Sequence, residues 1–196
     1  MSKTAPQRIA ILGAGPIGLE AALYAKSCGF TVAVYERGVI AEHIRRWGHV
    51  RMFTPFGLNR TSLGLKTLLR EKPNRTLPAA ADIITGREFR DIYLVPLGES
   101  EPLIESLQQE TSVLHVGRSS RGLRLLVRNA KGEERIDTVD FVLDCTGTFG
   151  TPNWLGDGGM PAVGELAARS QIACSVEDIL GERKTHYAGR SIALIG

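Results

Sequence analysis

Residues Gly13-Ala14-Gly15-Pro16-Ile17-Gly18 form a G-x-G-x-x-G run, and their setting constrains the fold more than any other feature. The run follows Arg8 to Gly13 (RIAILG), a short apolar stretch that reads as a buried parallel strand. It opens an Ala- and Leu-rich stretch from Ile17 to Cys28, expected to be a helix stopped at Gly29. Thr31 to Glu36 (TVAVYE) then reads as a second parallel strand, with Glu36 lying 23 residues after Gly13. Strand, glycine turn, helix and strand in about 30 residues make a βαβ unit. Gly13 permits the tight turn, Gly15 lets a pyrophosphate approach the backbone, and Gly18 lets helix and strand pack closely. The helix N-terminus offers N–H groups and partial positive charge to phosphates. Glu36 can accept hydrogen bonds from both hydroxyls of an adenosine ribose, and its charge would repel a 2′-phosphate. The arrangement predicts a dinucleotide site.

The rest of the chain departs from a simple repeat. Arg37 to Leu58 shows neither a 2.0 nor a 3.6 period and reads as an irregular, pocket-lining segment. A helix is expected over Thr61 to Arg70, and Thr85-Gly86-Arg87-Glu88 has the spacing of a capping box before another. Pro96 should kink or end that helix, with a further helix from about Pro102 to Glu110. Ser112 to Val116, Leu123 to Arg128 and Glu134 to Leu143 read as strands of a meander, with Asn129 to Gly132 as a hairpin turn. The last strand runs into Asp144-Cys145-Thr146-Gly147. A Gly/Pro-rich loop over Thr148 to Gly164 and a short helix from Glu165 to about Ser170 follow. Ser191 to Gly196 (SIALIG) repeats Arg8 to Gly13 almost position for position, which implies a second nucleotide-binding unit beginning there. The expected organisation is an incomplete first domain over 1–188 and the first strand of a second over 189–196. The expected fold class is α/β, a Rossmann-like dinucleotide-binding fold with a parallel sheet, helices and a β-meander.

This order resembles the FAD domain of flavoproteins that bind two dinucleotides, in particular the flavin-containing monooxygenase-like, pyridine-nucleotide-dependent group. Three stretches carry the resemblance: Gly13 to Gly18 with Glu36, Arg46 to Pro55 (RWGHVRMFTP), and Thr138 through Thr146-Gly147. The resemblance implies FAD as cofactor. Gly13, Gly15 and Gly18, with Pro16 and Ile17 at the helix start, would hold the pyrophosphate, and Glu36 with Arg37 the adenosine side. It places Trp47, Arg51 and Thr54 near the riboflavin half, Val113 against adenine through its backbone, and Thr146 and Gly147 where the chain returns to the cofactor. It also implies NAD(P)H as co-substrate in the complete protein, the reduced flavin passing electrons to oxygen or an electrophilic small-molecule substrate. Such cofactors carry the chemistry themselves, and no catalytic side chain is named. Two other readings stay open: an NAD-dependent dehydrogenase using only this site, and a non-catalytic nucleotide-binding fragment. Trp47 can equally be an apolar plug and Arg51 a solvated cation.

Composition narrows the field. No apolar run is long enough to span a bilayer, and no signal-like segment leads the chain, so a cytoplasmic protein without integral membrane association is expected. The net charge of +3 is modest. Arg118, Arg121, Arg124 and Arg128 lack interleaved aromatics, which argues for a solvated meander face rather than nucleic-acid binding. Cys28, Cys145 and Cys174 match no zinc spacing, and His43, His49, His115 and His186 have no carboxylate at ligand spacing, so no metal is expected. Disulfide reductases of the type with a cysteine pair beside the flavin are not supported, because no cysteine lies between Cys28 and Cys145. An apolar strand at Ile192 to Ile195 without a covering helix would favour self-association.

Overall fold

The computed structural model describes residues 6–120 and 122–195. Strand β1 (Arg8–Leu12), helix α1 (Pro16–Ser27) and strand β2 (Thr31–Tyr35) form the expected βαβ unit. β1 pairs in parallel with β2 on one side and with β7 (Phe141–Asp144) on the other. A two-residue strand β3 (Leu107–Gln108) pairs in parallel with β2, giving the sheet order β3-β2-β1-β7. The three-stranded antiparallel meander is β4 (Ser112–Ser119), β5 (Gly122–Arg128) and β6 (Glu134–Val139).

Alternation along β1 explains the layers. Ile9 and Ile11 join Leu19, Leu23, Val34, Leu68, Phe89 and Leu97 in one core on the helical face. Ala10, between them, joins Tyr35, Leu125, Val127 and Val139 in a second core against the meander. Both faces of the parallel sheet are therefore covered, which is why β1 reads as a continuous apolar run.

Five expectations change. Glu134 to Leu143 is two strands, not one. Asp140 breaks it: its N–H donates to the Arg8 carbonyl (2.9 Å) and its carboxylate accepts from the Arg8 N–H (2.7 Å), so the chain leaves the meander and enters the parallel sheet within one residue. The helix expected over Pro102 to Glu110 stops as α6 (Glu101–Ile104), because the open edge of β2 captures the following backbone. The Val34 N–H reaches the Ser106 carbonyl and the Glu36 N–H that of Gln108. Pro96 does not end its helix. Instead α4 (Gly86–Phe89) passes through a π-helical turn, Arg90–Leu94, into α5 (Val95–Gly98), the wide turn preceding a proline that has no N–H to give. The capping box at α4 forms in both directions, Thr85 accepting from the Glu88 N–H and Glu88 from that of Thr85. The segment read as irregular contains α2 (Glu42–Arg46) and a 3-10 turn, Phe56–Leu58. Ser191 to Ile195 forms no strand, having no neighbour to pair with, and Leu194 is 98% exposed. Gly196 of that repeat and Arg121 of the basic stretch lie outside the described residues. No helix among the described residues is long and apolar enough to cross a membrane.

Two polar contacts tie the layers. The Glu20 carboxylate of α1 accepts from the Tyr93 hydroxyl and from the Thr61 hydroxyl (2.6 Å), the residue that caps α3 (Ser62–Glu71). A Cβ at Gly64 would stand 2.0 Å from the Tyr93 oxygen, so glycine is required there by that pair. On the other face, the buried Tyr35 hydroxyl donates to Asp137 (2.8 Å) and bolts β2 to β6.

Gly64→Ala should destabilise the fold by about 1–3 kcal/mol through overpacking. In a Tyr93→Phe background the penalty should shrink, since the clashing oxygen is gone; equal penalties in a chemical-denaturation double-mutant cycle would refute this. Burial, and then the Asp137 hydrogen bond, push the Tyr35 phenol up to about 12. Its contribution is whole below an unfolded phenol value of about 10 and is lost as pH rises from 10 towards 12. Tyr93 is pushed up too, by burial first. Tyr35→Phe should therefore flatten, but not abolish, the loss of stability measured across pH 10–12.

Candidate dinucleotide site at the sheet switch point

The strand order reverses between β1 and β7, and the crevice beyond their carboxyl ends is where ligands bind such sheets. Backbone contact shapes this point. Gly13 has φ +98°, and a Cβ on it would lie 2.8 Å from the Cys145 carbonyl oxygen. A Cβ on Gly18 would lie 1.9 Å from the Gly13 oxygen. Both glycines are required to bring loop, α1 and β7 together. Gly15 differs: it has ordinary extended backbone at the N-cap of α1, and a Cβ there would meet nothing within 4 Å. Pro16 occupies the first helical position, where its missing N–H costs nothing. Ile17 beside it is 71% exposed. Open space thus stands before a helix N-terminus whose first N–H groups have no intrahelical partners.

Glu36 holds this loop. Its carboxylate accepts from the Ala14 N–H (2.9 Å) through one oxygen and from the Gly38 N–H (2.8 Å) through the other. Each oxygen keeps further acceptor capacity. Beyond Glu36 opens a groove of about 610 Å³ whose lining includes Arg37, Glu110, Ser112 and Arg128. Val113 is next to Ser112 and pairs with Val127, its side chain packing on the meander core. The ladder slips between Val113 and His115, a bulge at the groove's edge.

From the other side, Thr146 donates to the Asp144 carboxylate through its hydroxyl (2.7 Å) and its N–H (3.0 Å), which hold that carboxyl below its ordinary range. Gly147 turns with φ +67°. The loop then folds back so that Phe149 lies on His43 (ring centroids 5.2 Å), and Gly150 faces Arg37 and His43. Burial pushes the half-buried Cys145 thiol up, as expected of a small apolar residue at a strand end.

Gly13 to Gly18, Glu36, Arg37, Thr146 and Gly147 thus converge on the switch point, with Val113 beside the groove. Trp47, Arg51 and Thr54 each pack elsewhere. The Trp47 ring occupies the space a Cβ at Gly86 would need (2.4 Å). Arg51 donates to the Ile83 carbonyl (2.9 Å), and the Thr54 hydroxyl bonds Asn59. These contacts run to the 83–86 stretch and Asn59. Sequence reasoning missed Ala41, a non-glycine residue at φ +54° whose N–H donates to the Ala14 carbonyl (3.0 Å) behind the loop. A left-handed alanine has no sequence signature. His43 and Phe149 were missed as a pair because they are distant in sequence.

The three glycines should separate experimentally. Gly13→Ala and Gly18→Ala should each cost about 3 kcal/mol or more, because the obstacles are backbone atoms. Gly15→Ala should be neutral, or up to about 1 kcal/mol more stable, by restricting the unfolded chain. Thermal unfolding of the three variants checks the order; a strongly destabilised Gly15→Ala would contradict it.

A model of the pyridine nucleotide-disulphide oxidoreductase family matches residues 10–169. Among solved structures, the bacillithiol disulfide reductase Bdr (YpdA) from Bacillus cereus superposes with TM-score 0.62 at 16% identity, over 78% of this chain and 43% of that one. The S-allyl-L-cysteine S-oxygenase from Allium sativum gives 0.54 at 18% identity, over 73% of this chain and 37% of that one. An oxidized steroid monooxygenase bound to NADP gives 0.54 at 22% identity, over 74% and 26%. No curated protein matches the chain in sequence. The chain spans less than half the length of each of these structures, and at such identities the likeness is one of fold. The family match takes in the glycine loop, Glu36, the whole meander and Thr146-Gly147, and on it the chain belongs to the pyridine nucleotide-disulphide oxidoreductase family.

Proposed function

We propose that the chain is the FAD-binding part of an NAD(P)H-dependent flavin oxidoreductase of the monooxygenase-like kind, acting on a small-molecule substrate. One observation carries the reading: the open space at Gly15, set before the α1 N-terminus and flanked by Glu36 and Thr146-Gly147. It fits a pyrophosphate, which needs bare backbone and a helix N-terminus. Gly13, Gly15, Pro16, Ile17 and Gly18 hold that pyrophosphate. Glu36 uses its spare acceptor capacity on the ribose diol while keeping its two loop amides. Arg37 and Val113 border the adenine in the groove beyond, and Trp47, Arg51 and Thr54 line the riboflavin side. When bound, the flavin supplies a two-electron carrier between a nicotinamide and oxygen or an electrophile. The protein's part is binding, orientation and exclusion of water.

Cysteine placement argues against a redox pair built from Cys28 and Cys145 beside the flavin, and leaves open a pair carried in a second domain. Cys28 caps the C-terminal end of α1, whereas Cys145 lies near its N-terminal end, by Gly18. Twelve helical residues put about 18 Å between those ends, far beyond disulfide reach.

Flavin titration followed by fluorescence quenching tests the proposal. Glu36→Arg should weaken FAD binding by about 1.5–3 kcal/mol, roughly ten- to a hundredfold. Gly15→Ala should weaken it at least tenfold while leaving the fold intact. Undiminished FAD affinity in both variants would refute the assignment, and binding of NAD in place of FAD would turn it to a dehydrogenase.

A further inference from the structure

Away from the switch point, a cavity of about 460 Å³ separates two walls of opposite charge. One wall comes from α2 and α4 and carries Arg45, Arg46 and Arg87, with His49 beside them. The other is the stretch Ser175 to Arg183, bearing Glu177, Asp178 and Glu182 against a single Arg183, while Arg90 and Asp91 join the first wall. Among the described residues no ion pair within 4.0 Å joins the walls. Each satisfies itself instead. Arg45 and Arg46 share Glu42, while Glu177 pairs with Arg183 (3.1 Å) and accepts from the Tyr187 hydroxyl (2.6 Å). Asp178 closes its own turn by accepting from the Gly181 N–H (2.9 Å), and a Cβ at Gly181 would collide with that carboxylate.

The segment is therefore internally ordered and faces the arginine wall across the cavity, with no ion pair to it among the described residues. Two features show spare binding capacity on that wall. The Arg87 guanidinium has no hydrogen-bond or ion-pair partner among the described residues, and the Nε2 atom of His49 is buried without one. A guanidinium pair presents the fork geometry that phosphate oxygens match, and a doubly charged anion binds it more strongly than a carboxylate held at a distance.

We infer that Ser175 to Arg183 is an electrostatic strap over the α2–α4 face, and that the cavity beneath is an entry site for a phosphate-class anion that competes with the strap for Arg87 and with Glu42 for Arg46. The cavity also borders the Trp47 to Arg51 segment, because His49 lines it and the Arg87 N–H donates to the Gly48 carbonyl (2.8 Å). Lifting the strap changes access to that segment without touching the glycine loop. The inference is independent of the reading of the dinucleotide site.

Hydrogen–deuterium exchange over residues 175–183, with inorganic pyrophosphate titrated against potassium chloride at matched ionic strength, tests it. Pyrophosphate should speed exchange of the strap roughly three- to tenfold, the scale of a few surface charge contacts, while chloride should act only weakly. The response should vanish in Arg46→Gln/Arg87→Gln and persist in Gly15→Ala, which separates it from anion binding at the glycine loop. Equal effects of the two salts, or a pyrophosphate response surviving in the double variant, would overturn the proposal. Should the double variant fail to fold, Glu182→Gln on the strap serves: it should speed exchange without any anion, and unchanged exchange would count against the strap.

Discussion

The carbonyl of Gly13 fills the space a side chain at residue 18 would need, and the carbonyl of Cys145 does the same for residue 13. These are contacts between backbone atoms, which cannot be relieved by a rotamer change. They fix three things together: the sharp exit from β1, the approach of α1 to the sheet, and the place where β7 ends. The Gly13 N–H adds a bond to the Tyr35 carbonyl (2.7 Å), so the end of β2 is locked to the same point. The position of the helix N-terminus, and hence the anion-receptive space before it, follows from this packing rather than from any side chain. Glu36 completes it by converting the loop's Ala14 and Gly38 amides into ties between neighbouring turns.

Polar economy on either side of the parallel sheet follows a common pattern. A carboxylate from one element gathers donors from others: Glu20 for Thr61 and Tyr93, Asp137 for Tyr35, and Glu165, itself buried, for the Leu155 and Ala162 N–H groups. Each joins segments that apolar packing alone would let slide. The strap at 175–183 departs from this pattern, since Glu177 and Asp178 bond only within 177–187.

Local signals were legible, and those that depend on a distant partner were not. β1, the glycine loop, α1 and β2 are written in contiguous residues, as is the capping box at Thr85 and Glu88. β3 is not, because Leu107 and Gln108 become a strand only when the edge of β2 is there to pair with them. Nor is the break at Asp140, which depends on Arg8, 132 positions away. Within the candidate site, the glycines, Glu36 and Thr146-Gly147 could be placed because spacing defines them. Trp47 could be read two ways, and its packing on Gly86 is a tertiary fact. The opposite conformational demands at Gly13 and Gly15 likewise become visible only once Cys145 is in position.

The single residue between β6 and β7 has a consequence for how such a chain can vary. Asp140 spans two sheets with no slack, bonded to Arg8 through both its N–H and its carboxylate. An inserted residue there would shift β7 against β1 by one position, turning its side chains to the wrong face and moving the Cys145 carbonyl away from Gly13. The Asn129–Gly132 hairpin at the far end of the meander carries no such load, its hydrogen bonds closing within the turn itself. Length variation among relatives should therefore collect at that hairpin and spare the crossing, so that the meander can be lengthened at its tip while its root stays fixed in register.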